Sequence, residues 1–276
     1  MKWRWFLVFS AMALSVQARE PLVILHTNDV HSQLEPNGPS EGKYAHLGGV
    51  VERNALIRLI RHREPNVLVV DAGDFVQGSA YFNLFRGEAE VAVMNAMGLD
   101  AVTLGNHEFD NGVKALAEML KRATFPVVCS NYDVSGTPLK KVVRPWLVLR
   151  KGKLRVGVVS ANVAPHGLIA EKQFKGIRYQ SPLVCTDSIA GWLKREKKCD
   201  VVVCLSHLGL EAESSHPDDR KLASGSKYID VIVGGHSHTL LPQGEVRLNA
   251  LGKPVVIGQA GKWGAYLGRI DLSIEP

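Results

Sequence analysis

The residues best suited to chemistry stand just past the ends of apolar runs. Asp29 and His31 follow the run at 22–26, and Asp74 follows the run at 67–70 through Asp71-Ala72-Gly73. Asn106, His107 and Asp110 follow 100–104, His207 follows 201–205, and His236 and His238 follow 228–233. Carboxylate, amide and imidazole donors without a thiolate favour Mn, Fe, Zn or Co over a structural zinc site. Two divalent ions of this kind, about 3.5–4 Å apart, hold a hydroxide between them and clamp both ends of an in-line displacement at phosphorus.

Each spacing has a physical use. Asp29 and His31 are two apart, so an extended segment turns both to one side, and His236 and His238 repeat that spacing. One member of each pair can serve each ion, or both can flank one. Gly73 lets the backbone turn sharply ahead of Asp74, whose two oxygens can bridge two cations. Asn106 offers a neutral oxygen. His107 and Asp110 are three apart and become neighbours if a helical turn begins there, which suits a carboxylate holding a histidine in one tautomer. Taken singly, each has a blander reading: Asp74 as a helix cap, Asn106 as a turn residue, His207 as a satisfied core histidine. Such segments at one strand end after another point instead to one convergent site, because in open α/β sheets sites form beyond the carboxyl ends of strands. His26 reads as a core residue, and His46, His62, His166 and His216 as surface or loop residues.

The elements that position these groups alternate between strand and helix. Apolar runs at 22–26, 67–70, 100–104, 126–129, 201–205 and 228–233 show little alternation, as strands buried on both faces do. Helical patterns lie between them at 49–62, 88–97, 113–122 and 183–197; in the first, Val50, Leu56, Ile57 and Ile60 recur at helical spacing. The segments 142–149 and 154–159 flank Arg150-Lys151-Gly152-Lys153 and read as a hairpin; 254–259 and 266–274 read as a second. Parallel and antiparallel strands with helices outside predict an α/β fold: a four-layer α-β-β-α sandwich with two mixed β-sheets.

Composition bounds the rest. Lys2 and Arg4, an apolar stretch at 6–16 and the slim residues Val16-Gln17-Ala18 give residues 1–18 the three-part pattern of an export signal, with an uncleaved anchor as the alternative. Residues 19–276 then form one large domain, periplasmic or secreted, with no stable membrane insertion after signal removal. No later run approaches the roughly 18 apolar residues of a membrane helix. The formal charge of +6 is a mild excess that suits anionic small molecules. Basic residues form no stripe with interleaved aromatics, which argues against nucleic acid. Cys129, Cys185, Cys199 and Cys204 show no close CxxC spacing. Cys129 and Cys204 read as small core residues. There is no Gly-x-Ser-x-Gly elbow, which excludes a serine hydrolase of that type, and no P-loop.

Asp29-Val30-His31, Gly73-Asp74, Gly105-Asn106-His107-Glu108, His207 and Gly235-His236-Ser237-His238 together resemble the calcineurin-like metallophosphoesterase signature. The longer runs Leu25-His26-Thr27-Asn28-Asp29-Val30-His31, Asp71-Ala72-Gly73-Asp74 and Gly105-Asn106-His107-Glu108-Phe109-Asp110 resemble the catalytic domain of bacterial periplasmic 5′-nucleotidases and UDP-sugar hydrolases. The resemblance covers roughly 22–272 and implies a two-metal phosphomonoesterase in which a metal-bridging hydroxide releases phosphate. It implies that Asp29, His31, Asp74 and His238 hold one metal, and Asp74, Asn106, His207 and His236 the other. His107, oriented by Asp110, would stabilise the transferring phosphoryl group or protonate the leaving oxygen. The implied substrate is a small phosphoester, a nucleotide first. Cyclic-nucleotide phosphodiesterase or nucleotide-sugar pyrophosphatase activity at the same site is the nearest alternative, and a metal-binding interaction module without turnover the more distant one. Two-domain nucleotidases of this family add a C-terminal domain that grips the base. That domain is not recognisable within 19–276, so the expectation is either permissive action alone or a separate nucleotide-binding polypeptide.

Overall fold

Valine, isoleucine and leucine runs with both faces buried make the centre of two sheets. The structure, a computed structural model, describes residues 19–212 and 216–275; the segment read as an export signal lies outside them. The first sheet contains β1 (Glu20–Thr27), β2 (Val67–Asp71), β3 (Ala101–Thr103) and β4 (Val127–Val128). A short β5 (Tyr132–Asp133) leaves it, and β6 (Val143–Arg144) returns to its edge. The second sheet contains β7 (Leu147–Lys151) and β8 (Leu154–Asn162). After β9 (Arg178–Tyr179), which pairs with β5, it adds β10 (Val201–His207), β11 (Val231–Val233), β12 (Glu245–Leu248) and β13 (Pro254–Gly258). The last strand, β14 (Gly268–Ile274), closes the first sheet. The strand orders are β14-β1-β2-β3-β4-β6 and β12-β13-β11-β10-β8-β7. Both sheets are mixed: β14 is antiparallel to β1, β12 to β13 and β7 to β8, and the other pairs are parallel.

The layers follow from which side chains face which way. Leu22, Ile24, Leu68 and Val70 of the first sheet pack against Val156, Val158, Val203 and Val231 of the second, forming a dry layer between them. Alternate residues of the same strands, such as Val23, Leu25, Val67 and Val69, face outward onto α1 (Val50–Arg63), the short α2 (Ala80–Phe85), α3 (Glu88–Met97) and α4 (Gly112–Leu120). On the far side, α5 (Pro182–Arg195) and α6 (Asp219–Gly225) cover the second sheet through Ala190, Leu193, Leu222 and Ala223. The expected α-β-β-α sandwich is therefore the fold. No helix among the described residues is long and apolar enough to cross a membrane. All four cysteines are free thiols.

Three local expectations need correction. The second hairpin does not form: β13 stays in the second sheet, while β14 crosses to the first and pairs with β1 from Glu20↔Ile274 to His26↔Gly268. A Gly-rich link sets only that the chain turns; β14 takes the free edge of β1, which otherwise exposes an unpaired ladder. The first hairpin holds for β7 and β8, but 142–149 is split, because Pro145 has no N–H to continue a ladder and Val143–Arg144 pairs with β4 instead. In α1 the inward face runs through Arg53, Ile57 and Ile60, whereas Leu56 is 43% exposed. Leu56 lies about 100° around the helix from Ile57.

Candidate metal centre

Each site residue sits on the turn that leaves the carboxyl end of a strand: Asp29 and His31 after β1, Asp74 after β2, Asn106, His107 and Asp110 after β3, and His236 and His238 after β11, with His207 ending β10. The turns of both sheets bring their side chains together here. Asp29, His31, Asp74, Asn106 and His207 are buried.

Among the described residues, three groups have ligand atoms mutually within 4.8 Å: Asp29–His31–His238, Asp74–His207–His236 and His31–Asp74–His107. All of these residues were expected from the sequence. Asp29 and His31 share a group, but not because the segment is extended. They turn inward through left-handed backbone, with φ of 50° and 49°. Asp74 (54°), His236 (69°) and His238 (53°) do the same. His236 and His238 part company, one toward Asp74 and His207 and the other toward Asp29 and His31. Non-glycine residues in this region cost about 1–3 kcal/mol each and persist where the surroundings over-determine them.

Those surroundings are visible. Asp29 accepts the His236 N–H at 3.0 Å (Oδ1) and 2.9 Å (Oδ2), and Asn28 Nδ2 donates to its Oδ2 at 2.7 Å. The Trp263 N–H donates to Asp29 O at 2.8 Å, so the Gly261–Gly264 link reaches over the site. The Gly73 N–H and the Thr27 hydroxyl both donate to Asp71, tying the ends of β1 and β2. His207 Nδ1 donates to Ala72 O at 2.7 Å, which fixes the tautomer and leaves Nε2 facing inward. His107 Nδ1 lies 2.9 Å from Asp110 Oδ2 across the single-turn 3-10 helix His107–Phe109, as the three-residue spacing predicted.

The residues fit divalent cations. Asn106 Oδ1 and His207 Nε2 are buried with no hydrogen-bond partner. His207 Nε2 is 3.1 Å from Asp74 Oδ2 but out of line for a hydrogen bond. Nε2 of His31 and Nε2 of His238 face each other at 3.0 Å, and the latter is 3.6 Å from Asp29 Oδ1. Orphaned buried polar atoms are costly, and a cation bound by them would remove the cost. The charges agree. Burial holds His31 and His236 at about 4, the neutral state a ligand needs, and pushes Asp29 up to about 7, which a neighbouring cation would reverse. Burial opposes charge on both His207 and Asp74, yet their attraction raises His207 to about 10 and holds Asp74 far below the usual carboxylate range.

The calcineurin-like phosphoesterase family model matches residues 22–240. The chain belongs to that family. Among curated relatives, 5′-nucleotidase of Bos taurus is 33% identical over 92% of this chain and 46% of its own length. The solved 5′-nucleotidase precursor of Thermus thermophilus superposes with a TM-score of 0.82 at 35% identity, over 91% of this chain and 51% of that one. The NAD nucleotidase of Haemophilus influenzae gives 0.81 at 28% identity, over 94% and 48%. The phosphoesterase chain thus spans about half the length of these relatives.

Reading the sequence missed Asn28, Asp71 and Glu108 as supports of the site. All three stand inside the quoted motifs, so position was available as a signal. Their hydrogen-bond targets, backbone groups of other turns, were not.

Proposed function

We propose that this chain is an exported, metal-dependent phosphomonoesterase acting on nucleotides, with residues 19–276 as its catalytic domain. The observation that carries the reading is the run of three ligand groups linked through His31 and buried Asp74 (Asp29–His31–His238, His31–Asp74–His107 and Asp74–His207–His236), with Asn106 Oδ1 and His207 Nε2 buried and without hydrogen-bond partners. Asp29, His31, Asp74 and His238 would hold one divalent ion, and Asp74, Asn106, His207 and His236 a second; Mn, Zn, Fe and Co all suit these donors. Such ions supply Lewis-acid charge at phosphoryl oxygens and a nucleophilic hydroxide near neutral pH.

The chain's own residues orient and protonate. The hydrogen bond to Asp110 favours the charged form of His107 and raises its titration. With Nδ1 committed to Asp110, Nε2–H is free to donate to a phosphoryl oxygen or to the departing alkoxide. Asp110 is held in turn by Gln173, whose side-chain amide donates to its backbone carbonyl. His31 packs edge-on against His107, with ring centroids 5.4 Å apart, and keeps it beside the donor groups.

Similarity to 5′-nucleotidases supports a nucleotide substrate, and similarity to an NAD nucleotidase supports a second reading, cleavage of a nucleotide pyrophosphate at the same centre. The chain acts permissively by itself, holding chiefly the phosphoryl group, or a separate nucleotide-binding polypeptide supplies base recognition. The basic and apolar pattern of residues 1–18 supports a periplasmic or secreted location. The test is phosphate release from AMP, cyclic AMP, NAD and an aryl phosphate, before and after chelation. Release from AMP and the aryl phosphate that chelation abolishes and Mn²⁺ restores is expected. Cation binding with no turnover on any of the four would make the chain a binding module instead.

A further inference from the structure

Beyond Asp71 the first sheet comes apart. The register of β2 with β3 ends at Asp71↔Val102, and the turn 73–76 runs on alone toward the site. Its carbonyls are still paired on the β1 side: the N–H groups of Asp29, His31 and Ser32 donate to Gly73 O, Asp74 O and Phe75 O at 2.9, 2.9 and 3.0 Å. The Gly73 N–H returns to Asp71 Oδ1, and the N–H groups of Asp74, Phe75 and Val76 have no strand partner in β3. Buried N–H groups must find acceptors, and one side chain supplies them. Glu108, 3% exposed, accepts from Asp74 N at 3.0 Å, from Phe75 N at 2.9 Å and from Val76 N at 3.4 Å. Its Oε2 also accepts from Gly105 N, at the end of β3.

One carboxylate therefore replaces a missing stretch of ladder and joins the turn that carries Asp74 to the turn that carries Asn106 and His107. It belongs to none of the three ligand groups. Asp74 needs such a brace, since it and Gly73 hold left-handed backbone, with φ of 54° and 90°. The Asp74 side chain is tied to the same unit, because its Oδ1 accepts the His107 N–H at 2.8 Å.

We propose that Glu108 is the positioning residue of the centre: it sets the place of Asp74 relative to Asn106 and so governs how tightly cations are held. This rests on the two-cation reading above. A carboxylate suits the role because both oxygens accept and neither donates. In Glu108→Gln one acceptor becomes an NH₂ facing N–H groups. Supports of this kind change metal affinity by about 10- to 100-fold when altered.

Cobalt titration of the metal-free protein, followed by visible absorbance, reads the effect without turnover. Half-saturation in Glu108→Gln is expected to rise about 10- to 100-fold, with kcat on AMP lowered at saturating Co²⁺ and KM little changed. Glu108→Asp, which keeps the charge and both acceptors, should recover part of the affinity, and it is the deciding variant if Glu108→Gln does not fold. Amide exchange on the metal-free wild type gives an arm that needs no variant: Asp74, Phe75 and Gly105 should stay protected. Unchanged Co²⁺ affinity in the folded variant, whatever its melting temperature, overturns the proposal, as does fast exchange at those amides. If the wild type itself neither binds Co²⁺ nor hydrolyses AMP, the phosphoesterase reading fails; if it does both and the variants match it, only the role of Glu108 fails.

Discussion

The layer between the sheets and the turns just above it are made by the same strands under opposite rules. In β1, Leu22 and Ile24 are fully buried in extended backbone against the second sheet. A few residues on, Asp29 and His31 are also buried, but they are polar and left-handed. Strands of two sheets bring these polar side chains to one point by leaving strand geometry, and each departure costs about 1–3 kcal/mol. One fully buried aliphatic side chain returns roughly 1.5–3 kcal/mol. The apolar layer is thus what allows the strained turns to persist, and the two regions should respond to mutation in different observables.

The largest expected effect is at the turns. Asp74→Asn removes the charge that the proposed pair of cations would share; phosphate release should fall by at least about 10⁴-fold, several kcal/mol of charge stabilisation, with metal content lowered and the fold kept by circular dichroism. His107→Ala should cost about 10²–10⁴ in kcat while elemental analysis finds the metals still bound; loss of metal with unchanged turnover per bound ion would make His107 a ligand, as its proximity to His31 and Asp74 allows. In the layer below, Ile24→Ala should do the reverse, lowering unfolding free energy in urea by about 2–5 kcal/mol while the folded protein keeps its kcat within about twofold.

The smallest effect tests the boundary. His26 lies at the top of the apolar layer, and burial alone lowers it from 6.5 to about 4. Its folded value is below its unfolded one, so between pH 6.5 and 4 the unfolded chain binds the extra proton. The stability gained by keeping it neutral is complete above pH 6.5 and is lost as pH falls toward 4. In metal-free protein over that window, wild type should lose up to about 3 kcal/mol more than His26→Leu. Equal losses would mean that His26 is hydrated or paired.

Much of the site was legible because ligand chemistry restricts residue type, and because the apolar runs announce where strands stop. Gly73-Asp74 and Asn106-His107 needed no more than that. The separation of His236 from His238 came from the family resemblance and not from the spacing, since a two-residue spacing says which side a side chain takes only if the backbone is extended. Glu108 was hidden for a related reason: it was given no role of its own from the sequence, because its N–H partners lie on other turns. In the fold, the strands of the centre were legible from composition, whereas the placement of β14 was not. Edge pairing depends on which ladder stands free, and that is a property of the assembled sheet. The short helices α2 and α6 carry too few turns to show a period.

The central claim is that two cations share Asp74. Electron paramagnetic resonance of the Mn²⁺-loaded wild type tests it most directly, because ions about 3.5–4 Å apart couple magnetically and isolated ones do not. An exchange-coupled pair at two Mn²⁺ per chain, absent in Asp74→Asn, is the expected result. Full phosphate release with one Mn²⁺ per chain, or with two uncoupled six-line signals, would contradict it.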